Sequence, residues 1–494
     1  MREILNNIHA RSEGKTLEFK RDSASPTLVM RTLVAFANTA GGRLVIGIGD
    51  DRQIVGVKAP LDEEERLRSL IADSIIPSLV PNIELVTIHN TTLLVIEVFV
   101  SAVRPHWLKA EGHEQGVYVR IGSSNCPADT ALIAELGRSA EGISYDEMPM
   151  PKLSKDDLDL AAVQKCFASD WKLDEQTLVT IKLLTSYQRR LVPTRGAVLL
   201  FGKERTLHFS HAWIQCARCN GTDRADIFDS LDIYDHLPLA VESTMKFLGK
   251  YAVSEASKTL PLLREGVINA LLHTDYSQHR APIRITFFDD RIEIENPGIL
   301  LPGMTIEAVR QGTSRIRNHV IARVFRELNL VERWGSGIHS IFKDAEALGL
   351  PEPQLMEIGM RIRLTVSLAT PVSIFADKAQ VEAQEKTEIQ AQVNGLIGAQ
   401  VGSAGEAQAC LQARAQDGAQ VQAPVDLHIL SLCATKPLSS AEIAAALGHK
   451  QLSGNLRKAL PRLRESGLLA YTIPEKPNSR SQKYRLTAKG KALL

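Results

Sequence analysis

The sequence predicts a multidomain α+β protein, and three observations lead to this fold class. The chain has 494 residues, which is enough for three or four domains. Strand-like and helix-like patterns alternate over residues 1–145 and again over residues 234–370, as in sheets covered by helices. Residues 425–494 differ from both, since they hold 12 Lys and Arg against 4 Asp and Glu, a net charge of +8. We therefore expect an N-terminal α/β domain, a connecting domain over residues 146–233, a second α/β domain, a linker over residues 371–424 and a basic C-terminal domain.

Composition excludes several classes of protein. Hydrophobic residues make up 44% of the chain, as in globular proteins. The longest apolar runs, such as Leu93–Val100, contain a charge and are too short to cross a membrane, and the N-terminus has no apolar signal-peptide core. Six cysteines without a regular spacing fit a reducing compartment, so we expect a cytoplasmic protein with no membrane partner. The CxxC pair of Cys216 and Cys219 has no second pair and predicts no metal site.

Residues 1–145 predict an α/β domain with helical signals at its start. Further helical patterns lie at Pro26–Thr39, Asp62–Ile76 and Asp129–Glu141. Extended patterns lie at Thr16–Arg21, Arg43–Ile48, Ile54–Val57, Ile83–His89, Leu93–Val100 and Val117–Ile121.

Three ordered motifs in this domain carry a resemblance. They are Glu18–Lys20 (EFK), Phe36–Gly42 (FANTAGG) and Gly47–Asp50 (GIGD). In this order they resemble the Schlafen-core or AlbA_2 domain, whose members are generally assigned nucleic-acid binding. The resemblance implies that Glu13, Glu18 and Asp50 correspond to the three carboxylates with which eukaryotic Schlafens cut structured RNA. Three carboxylates can hold Mg²⁺ or Mn²⁺ for this reaction, although these residues are also compatible with ordinary surface charges. The candidate phosphate contacts are Lys20, Arg21, Lys109 and Arg120.

The connecting region carries less information. Leu153–Ser169 predicts an amphipathic helix capped by Ser154, and Thr194–Phe201 and Ala212–Cys219 predict strands. The run Gly196–Lys203 has a superficial likeness to a phosphate-binding P-loop, but its spacing is wrong and no Ser or Thr follows the lysine. Since no Walker motif occurs elsewhere, the sequence contains no helicase motor.

The stretch Arg264–Tyr276 predicts a helix that can carry a nucleotide site. Its apolar residues recur at helical spacing, and Glu265, Asn269 and His273 fall at i, i+4 and i+8 along one face. An amide oxygen can ligate Mg²⁺, a carboxylate can orient a water, and the imidazole can face the same ligand. The alternative is an ordinary helix with a solvated polar face.

Two glycine turns follow this helix. A strand pair, Ile283–Asp289 and Arg291–Glu295, leads into Asn296–Pro297–Gly298, and Gly335–Ser336–Gly337 lies further along the chain. Glycines allow the backbone to approach a phosphate closely. Over residues 261–342 these motifs resemble the GHKL ATPase domain, an α/β sandwich, in the version found in bacterial proteins labelled RecG-like or as transcriptional regulators.

The GHKL resemblance implies a role for each motif residue. Glu265 would be the water-activating base, Asn269 the Mg²⁺ ligand, and Asn296 and Gly298 the turn beside the adenine. Gly312, Ser314, Arg315 and Asn318 resemble the lid, and Gly335 and Gly337 would lie at the phosphates. Distant relatives carry Asp where Asn296 stands, and an Asn accepts from the adenine amine without a charge. We therefore expect ATP binding with Mg²⁺ rather than rapid turnover.

The C-terminal region predicts a winged helix-turn-helix. Helical patterns at Leu427–Ala434, Ala441–Leu447 and Ser453–Ser466 precede a hairpin of Leu468–Ile473 and Lys483–Leu486, with Ser440 as a helix cap. Candidate DNA contacts are Asn455, Arg457, Lys458, Arg462 and Arg464 on the third helix and Lys476, Arg480 and Lys483 on the wing. A winged helix can also bind protein, but the charge of +8 favours DNA. The Ala- and Gln-rich residues 371–424 predict a flexible tether or a small oligomerisation helix.

Two functional hypotheses follow from these modules. In the first, a transcriptional regulator binds DNA through residues 425–494 and uses ATP at residues 261–342 as a conformational input. In the second, a Schlafen-like, metal-dependent nuclease acts on RNA or DNA in nucleic-acid or phage-defence processes and is gated by the ATP-binding domain. By analogy with two-fold DNA sites and with GHKL relatives, we expect a homo-oligomer.

Overall fold

A computed structural model describes most of the chain, which divides into two compact units, Met1–Glu385 and Lys386–Leu494. The described residues are 12–88, 90–167, 173–252, 254–278, 281–331, 337–372, 429, 433, 437–440, 442–443, 460–464, 466–472, 482–487 and 489. The helical signals at the start of the chain and nearly all of the Ala- and Gln-rich region lie outside the described residues. No helix in the described part of the chain is long and apolar enough to cross a membrane.

The first part of unit 1 is a small mixed sheet with helices. Its strands are β1 Leu17–Lys20, β2 Gly42–Ile46, β3 Ile75–Ile76, β4 Asn82–Ile88, β5 Thr91–Val98, β6 Trp107–Leu108, β7 Tyr118–Ile121 and β8 Ser124–Pro127. Its helices are α1 Pro26–Asn38, α2 Pro60–Ser74, α3 Gly112–Gln115 and α4 Thr130–Ala140. The main sheet has the order β1-β2-β5-β4, with β1 and β2 parallel and the other pairs antiparallel. Predicted elements are therefore found, except that Ile54–Val57 contributes only an isolated bridge from Ile54 to Ile48.

Local chemistry explains how this part folds. Pro26 occupies the first turn of α1, where its missing N–H costs no hydrogen bond, and Asp129 caps α4 by accepting from the backbone N–H of Leu132 at 2.9 Å. Between α1 and β2 the chain turns at Gly41, which has a φ of +72°. A Cβ there would lie 2.9 Å from the carbonyl oxygen of Val98, so the turn needs glycine.

The connecting region consists of short elements. They are 3₁₀ helices at Tyr145–Glu147 and Lys155–Asp157, helices α5 Leu160–Cys166, α6 Glu175–Thr180, α7 Arg195–Phe201 and α8 Arg205–His208, and the hairpin of β9 Leu184–Tyr187 and β10 Arg190–Pro193. Two predictions are wrong here. The predicted helix from Leu153 is two pieces, because Asp159 starts a new helix by capping the N–H of Ala162. The predicted strand Thr194–Phe201 is α7, which is capped by Thr194 and buried on all sides, so its apolar run carries no strand or helix period.

The second part of unit 1 is a six-stranded mixed sheet with helices packed on it. Its strands are β11 Ile214–Cys219, β12 Ile227–Ile233, β13 Ile283–Phe287, β14 Arg291–Pro297, β15 Gln354–Ile358 and β16 Arg361–Ser367. Its helices are α9 Leu237–Tyr251, a 3₁₀ helix Ser254–Thr259, α10 Leu260–His273, α11 Ile306–Arg310, α12 His319–Glu327 and α13 Gly337–Ala347. The order is β12-β11-β13-β14-β16-β15, with β11 and β13 parallel. The sheet therefore crosses the division predicted at residues 233/234, because β11 and β12 pair with strands that follow it.

Helix α10 lies close against this sheet. Gly266 makes the approach possible, because a Cβ there would lie 2.8 Å from Cδ1 of Ile294 and 3.1 Å from Cδ2 of Leu364. Val267 and Leu271 are buried in the same core. This packing fixes the axial rotation of α10 and so decides which way Glu265, Asn269 and His273 face.

The two parts of unit 1 contact each other through the segment that follows β14. The N–H of Gly303 donates to the carbonyl oxygen of Thr39, at the end of α1, at 2.8 Å. Lys15 pairs with Glu357 at 2.6 Å, and Glu357 also accepts from the N–H of Leu300 at 2.8 Å. These contacts join the FANTAGG motif and the start of the chain to residues 299–304.

Unit 2 is described only in part. Ile429, Cys433 and residues 442–443 and 460–464 are helical, and β17 Leu469–Tyr471 pairs antiparallel with β18 Tyr484–Leu486. The helix cap is Ser439 rather than the predicted Ser440, since Ser439 exchanges hydrogen bonds with Glu442. A C-terminal hairpin is thus present, while the predicted winged helix-turn-helix as a whole extends beyond the described residues.

Candidate functional site

A cavity of about 820 Å³, including its solvent-open mouth, lies between α10, the sheet and the start of α13. Its lining includes six residues predicted from the sequence, which are Asn269, His273, Asn296, Gly312, Ser314 and Arg315. Its apolar lining includes Ile294, Ile299, Leu300, Leu301, Met304, Val309, Ile338, Leu355, Ile362 and Leu364. A pocket with apolar walls and a few converging polar groups is typical of a small-molecule site.

The pair of Glu265 and Asn269 has a defined geometry. Asn269 is 8% exposed, and its Nδ2 donates to both the backbone carbonyl oxygen and Oε1 of Glu265, each at 2.9 Å. Because both donations come from Nδ2, the amide oxygen is turned the other way, toward Gly337. A Cβ on Gly337, whose φ is +32°, would lie 3.2 Å from that oxygen. The helix face predicted from the i, i+4 spacing therefore presents an oriented amide oxygen at the start of α13.

His273 lies one turn further along α10 and lines the same cavity. Burial lowers the pKa of His273 to about 4, so its imidazole is neutral near pH 7. A neutral imidazole can donate or accept a hydrogen bond at this wall without adding charge.

The end of β14 forms the second polar wall. Asn296 is 6% exposed and lines the cavity, and its Nδ2 donates to the carbonyl oxygen of Pro297 at 3.3 Å. Gly298 does not line the cavity. With a φ of +112° it turns the chain into residues 299–304, and a Cβ there would lie 3.1 Å from that of Asp275.

Residues 312–318 divide between the cavity and the protein interior. Gly312 has a φ of +92° and lies against the ring of His339, while Ser314 and Arg315 are exposed at the cavity wall. Asn318 is fully buried, and its Nδ2 donates to the carbonyl oxygens of Leu272 and Thr274 at 2.9 and 2.8 Å. It therefore closes the C-terminal end of α10 and does not line this cavity, so its place in the lid stays a prediction.

Two features of the cavity were not predicted from the sequence. One is the apolar wall, which follows the Asn296–Gly298 turn and consists of Ile299, Leu300, Leu301 and Met304. An apolar run directly after a glycine turn is the sequence signal that could have predicted it. Arg317 lines the cavity, is 7% exposed, and pairs with Glu135 of α4. Burial lowers the pKa of Arg317 to about 10, and nothing in the local sequence indicates its distant partner.

The three N-terminal carboxylates are not assembled into a metal site. Among the described residues, no group of three or more His, Cys, Asp or Glu side chains is arranged to hold a metal ion. Glu13 accepts from the N–H of Phe19 at 2.8 Å, and Asp50 is exposed. Glu18 is 5% exposed and pairs with Lys20 at 2.6 Å and with Arg120. The predicted metal role is therefore not supported by this geometry, because the carboxylate of Glu18 already has two cationic partners.

The residues predicted to contact phosphate in the N-terminal domain differ in exposure and in their partners. Arg21 and Lys109 are exposed, whereas Lys20 is paired with Glu18. Arg120 is fully buried and donates to Asn125 Oδ1 at 2.9 Å, so it cannot reach a nucleic-acid backbone in this conformation.

The DNA contacts predicted in unit 2 are described only in part. Arg464 donates to the hydroxyl of Tyr471 at 2.9 Å, Lys483 pairs with Glu442 at 3.3 Å, and Arg462 is part-buried. Gly335, Asn455, Arg457, Lys458, Lys476 and Arg480 lie outside the described residues.

Comparisons with known proteins identify three segments. Residues 13–129 match the family described as Schlafen, AlbA_2, and residues 280–366 match HATPase_c_4, described as Putative ATP-dependent DNA helicase recG C-terminal. Residues 426–487 match the C-terminal domain of the Fic-like protein family, Filamentation induced by cAMP. The resemblances to the Schlafen AlbA_2 family and to the recG C-terminal family are thereby confirmed, and the chain carries both of these domain types. The predicted winged helix is not confirmed by the match over residues 426–487.

Two solved structures are similar to the chain. The DIP2311 protein from Corynebacterium diphtheriae is 18% identical over 98% of this chain and 99% of that chain, with a TM-score of 0.40. The N-terminal domain of the Putative ATP-dependent DNA Helicase RecG-related Protein from Nitrosomonas europaea is 32% identical over 26% of this chain and 94% of that chain, with a TM-score of 0.22. No curated protein matches the chain.

Proposed function

We propose that this protein, which joins a Schlafen AlbA_2 domain to a domain of the recG C-terminal family, is a nucleotide-responsive DNA-binding regulator. The observation that carries the proposal is the cavity beside α10, which is lined both by Asn269, with its oriented amide oxygen, and by Asn296 at the end of β14, together with an apolar wall. This combination suits ATP, which has an apolar ring with a polar edge at one end and a charged polyphosphate at the other.

In the proposed complex, the adenine packs on residues 299–304 and its amine donates to the side-chain oxygen of Asn296. Mg²⁺ would neutralise the phosphate charge, and Asn269 is the residue placed to hold it, because its amide oxygen is directed at the start of α13. The backbone N–H groups at that helix start, beginning with Gly337, suit the phosphates.

Glu265 is the candidate base for hydrolysis. Its carboxylate accepts from Asn269, the residue that would hold Mg²⁺, and this hydrogen bond fixes the orientation of the carboxylate. The neutral Asn296 replaces a charged acceptor for the adenine amine, so we propose that the protein senses ATP and hydrolyses it slowly.

A direct structural route connects the cavity to the AlbA_2 domain. Leu300 and Leu301 line the cavity, and Gly303 donates to Thr39 in the FANTAGG motif. The hydroxyl of Thr39 accepts from the N–H of Arg120 at 2.9 Å. A ligand that orders residues 299–304 would therefore change the constraints on the AlbA_2 domain, which is the conformational response we propose.

The basic C-terminal unit supplies the proposed DNA contact. Its charge of +8 over residues 425–494 favours a polyanionic partner. We also propose a homo-oligomer, since a two-fold DNA site is best matched by a symmetric protein. In an Arg457→Ala/Lys458→Ala variant, both DNA affinity and its dependence on salt should fall.

Thermal denaturation of the full chain tests the nucleotide site. ATP with Mg²⁺ should raise the melting temperature of the wild type, because a ligand that binds only the folded state stabilises it. The Asn269→Ala variant should lose this shift, while a Ser230→Ala variant, changed on the edge strand β12 away from the cavity, should keep it. Absence of a shift in the wild type, or an equal shift in Asn269→Ala, would contradict the proposal.

A metal-dependent nuclease is the second candidate. It is favoured by the position of Glu13, which accepts from Phe19 and so lies beside the strand that carries Glu18. Cutting would require Glu18 to leave its ion pairs with Lys20 and Arg120. Incubation with structured RNA, single-stranded DNA and duplex DNA in the presence of Mn²⁺ tests for nuclease activity. Cleavage by the wild type that disappears in Glu18→Gln would replace the regulator hypothesis with the nuclease hypothesis.

A further inference from the structure

A second cavity of about 870 Å³, including its open mouth, lies between α4, residues 142–145 and the segment 315–319. It shares three lining residues, Leu301, Arg315 and Arg317, with the nucleotide cavity. Its other walls come from the end of the AlbA_2 part and from residues that follow α10, so it is built at the junction of the two parts of unit 1.

Arg138 is the most distinctive residue in this cavity. Its Nε and Nη2 are buried atoms that meet no acceptor among the described residues. These two nitrogens form one edge of the guanidinium, where the two N–H groups are parallel and match two oxygens of a phosphate or carboxylate. The guanidinium carbon of Arg138 lies 5.2 Å from the ring centre of Tyr145, and that of Arg195 lies 4.3 Å from the same ring centre. The stacking holds the guanidinium of Arg138 in one plane.

The carboxylates near Arg138 are already engaged. Glu135 pairs with Arg317. Asp275 accepts from the N–H and Oγ of Ser277 at 3.0 and 2.6 Å and from Gln278 at 2.9 Å. The three cavity arginines, Arg138, Arg315 and Arg317, thus face two carboxylates, and this excess of positive charge favours an anion.

The hydrogen-bonding groups also indicate what kind of anion fits. Besides Arg138, Nε of Arg317 has no acceptor among the described residues, and Oδ1 of the fully buried Asn318 has no donor there. A carboxylate could satisfy the arginines only, since it has no proton to donate. A singly protonated phosphate carries oxygens for the guanidinium groups and one hydroxyl for an amide oxygen.

We propose that this second cavity is a binding site for a phosphate-class oxyanion, held by the paired N–H groups of Arg138 and by the charges of Arg315 and Arg317. Inorganic phosphate and the terminal phosphate of a nucleic acid share this chemistry. The cavity is separate from the proposed magnesium ligand, because Asn269 lines only the first cavity.

The shared residues link the two cavities. Arg315 and Arg317 line both, so an anion that draws them toward the second cavity changes the wall of the first. Binding of phosphate and of ATP should therefore affect each other by the same factor, whichever ligand is added first. This coupling depends on the proposed nucleotide site, whereas the anion site itself does not.

Titration calorimetry of the full chain with inorganic phosphate tests the site. Arg138→Lys keeps the charge but removes the paired N–H groups, and it should bind phosphate about tenfold more weakly than wild type. Arg138→Gln should bind no more tightly than Arg138→Lys. Arg190→Gln, which removes an exposed arginine of β10, should bind as the wild type does. No phosphate binding by folded wild type, or equal binding by Arg138→Lys and wild type, would overturn the proposal.

The Asn269→Ala variant separates this proposal from the nucleotide site. It should keep phosphate binding and lose ATP binding, while Arg138→Lys should show the opposite. If Asn269→Ala loses phosphate binding instead, phosphate occupies the first cavity and the second site is refuted.

A short oligonucleotide with a 5′-phosphate, compared with its 5′-hydroxyl form, distinguishes free phosphate from the terminal phosphate of a nucleic acid. Competition with inorganic phosphate by the first form only would assign the site to nucleic-acid ends, and no competition would assign it to free phosphate.

Discussion

Glu265 and Glu18 are both glutamates that a motif predicts to be catalytic, and their surroundings differ. Glu265 contacts the neutral amide of Asn269 beside a cavity. Glu18 is 5% exposed and contacts the cations of Lys20 and Arg120, the second of which is fully buried. The same side chain is held by ion pairs inside the protein in one place and, as we propose, serves nucleotide binding in the other, and the difference lies in the charge and burial of its partners.

The largest expected effect comes from breaking the buried pair. Arg120→Ala would leave the carboxylate of Glu18 buried with only Lys20 beside it, and we expect the free energy of unfolding to fall by about 3–5 kcal/mol. Arg21→Ala, at an exposed arginine nearby in sequence, should change it by less than about 0.5 kcal/mol. Urea denaturation measures both. A cost as small in Arg120→Ala as in Arg21→Ala would mean that Glu18 is not held in this pair.

A smaller effect is expected at the end of α10. Asn318→Ala removes two donations and leaves the buried carbonyl oxygens of Leu272 and Thr274 without them, which should cost about 1–3 kcal/mol. Ser314→Ala, four residues earlier and exposed, is the control for stability. Thermal denaturation with and without ATP distinguishes the roles. Loss of the ATP shift in Asn318→Ala without a loss of stability would return Asn318 to the lid.

The smallest effect is expected at a partly exposed pair of side chains. Glu147 lies 3.2 Å from the imidazole of His319 and raises the pKa of His319 above its ordinary value of 6.5. The folded state then binds the proton more tightly than the unfolded state. The stabilisation is complete below pH 6.5 and is lost as pH rises through the higher pKa of the folded state.

Comparison of His319→Gln with wild type isolates this contribution. The difference in their free energies of unfolding should be below about 1 kcal/mol, since the pair is half exposed, and should shrink as pH increases from 6 to 9, roughly the range over which such a histidine titrates. The neighbouring Asp146 is fully buried, and burial raises its pKa to about 6. Asp146 is present in both proteins, so its own titration largely cancels from the difference. A difference that grows with pH would contradict the assigned pair.

The polar residues that share one face of α10 could be predicted, because they follow from local helical spacing. Glu265, Asn269 and His273 follow helical geometry, and Gly298 and Gly312 have the positive φ angles that glycine turns suggest. The burial of Arg120 could not be predicted, because its partner Glu18 lies far away in the sequence and only the fold brings them together. The strand predicted at Thr194–Phe201 failed for a related reason, since an apolar run buried on all sides has no periodicity.

We propose that nucleotide binding beside Glu265 changes the conformational freedom of the domain that contains Glu18. Hydrogen–deuterium exchange of the full chain, with and without ATP and Mg²⁺, tests this claim most directly. We predict slower exchange in peptides covering residues 299–305 and 36–42, because the N–H of Gly303 donates to the carbonyl oxygen of Thr39. Protection confined to α10 and α13, with residues 36–42 unchanged, would contradict it.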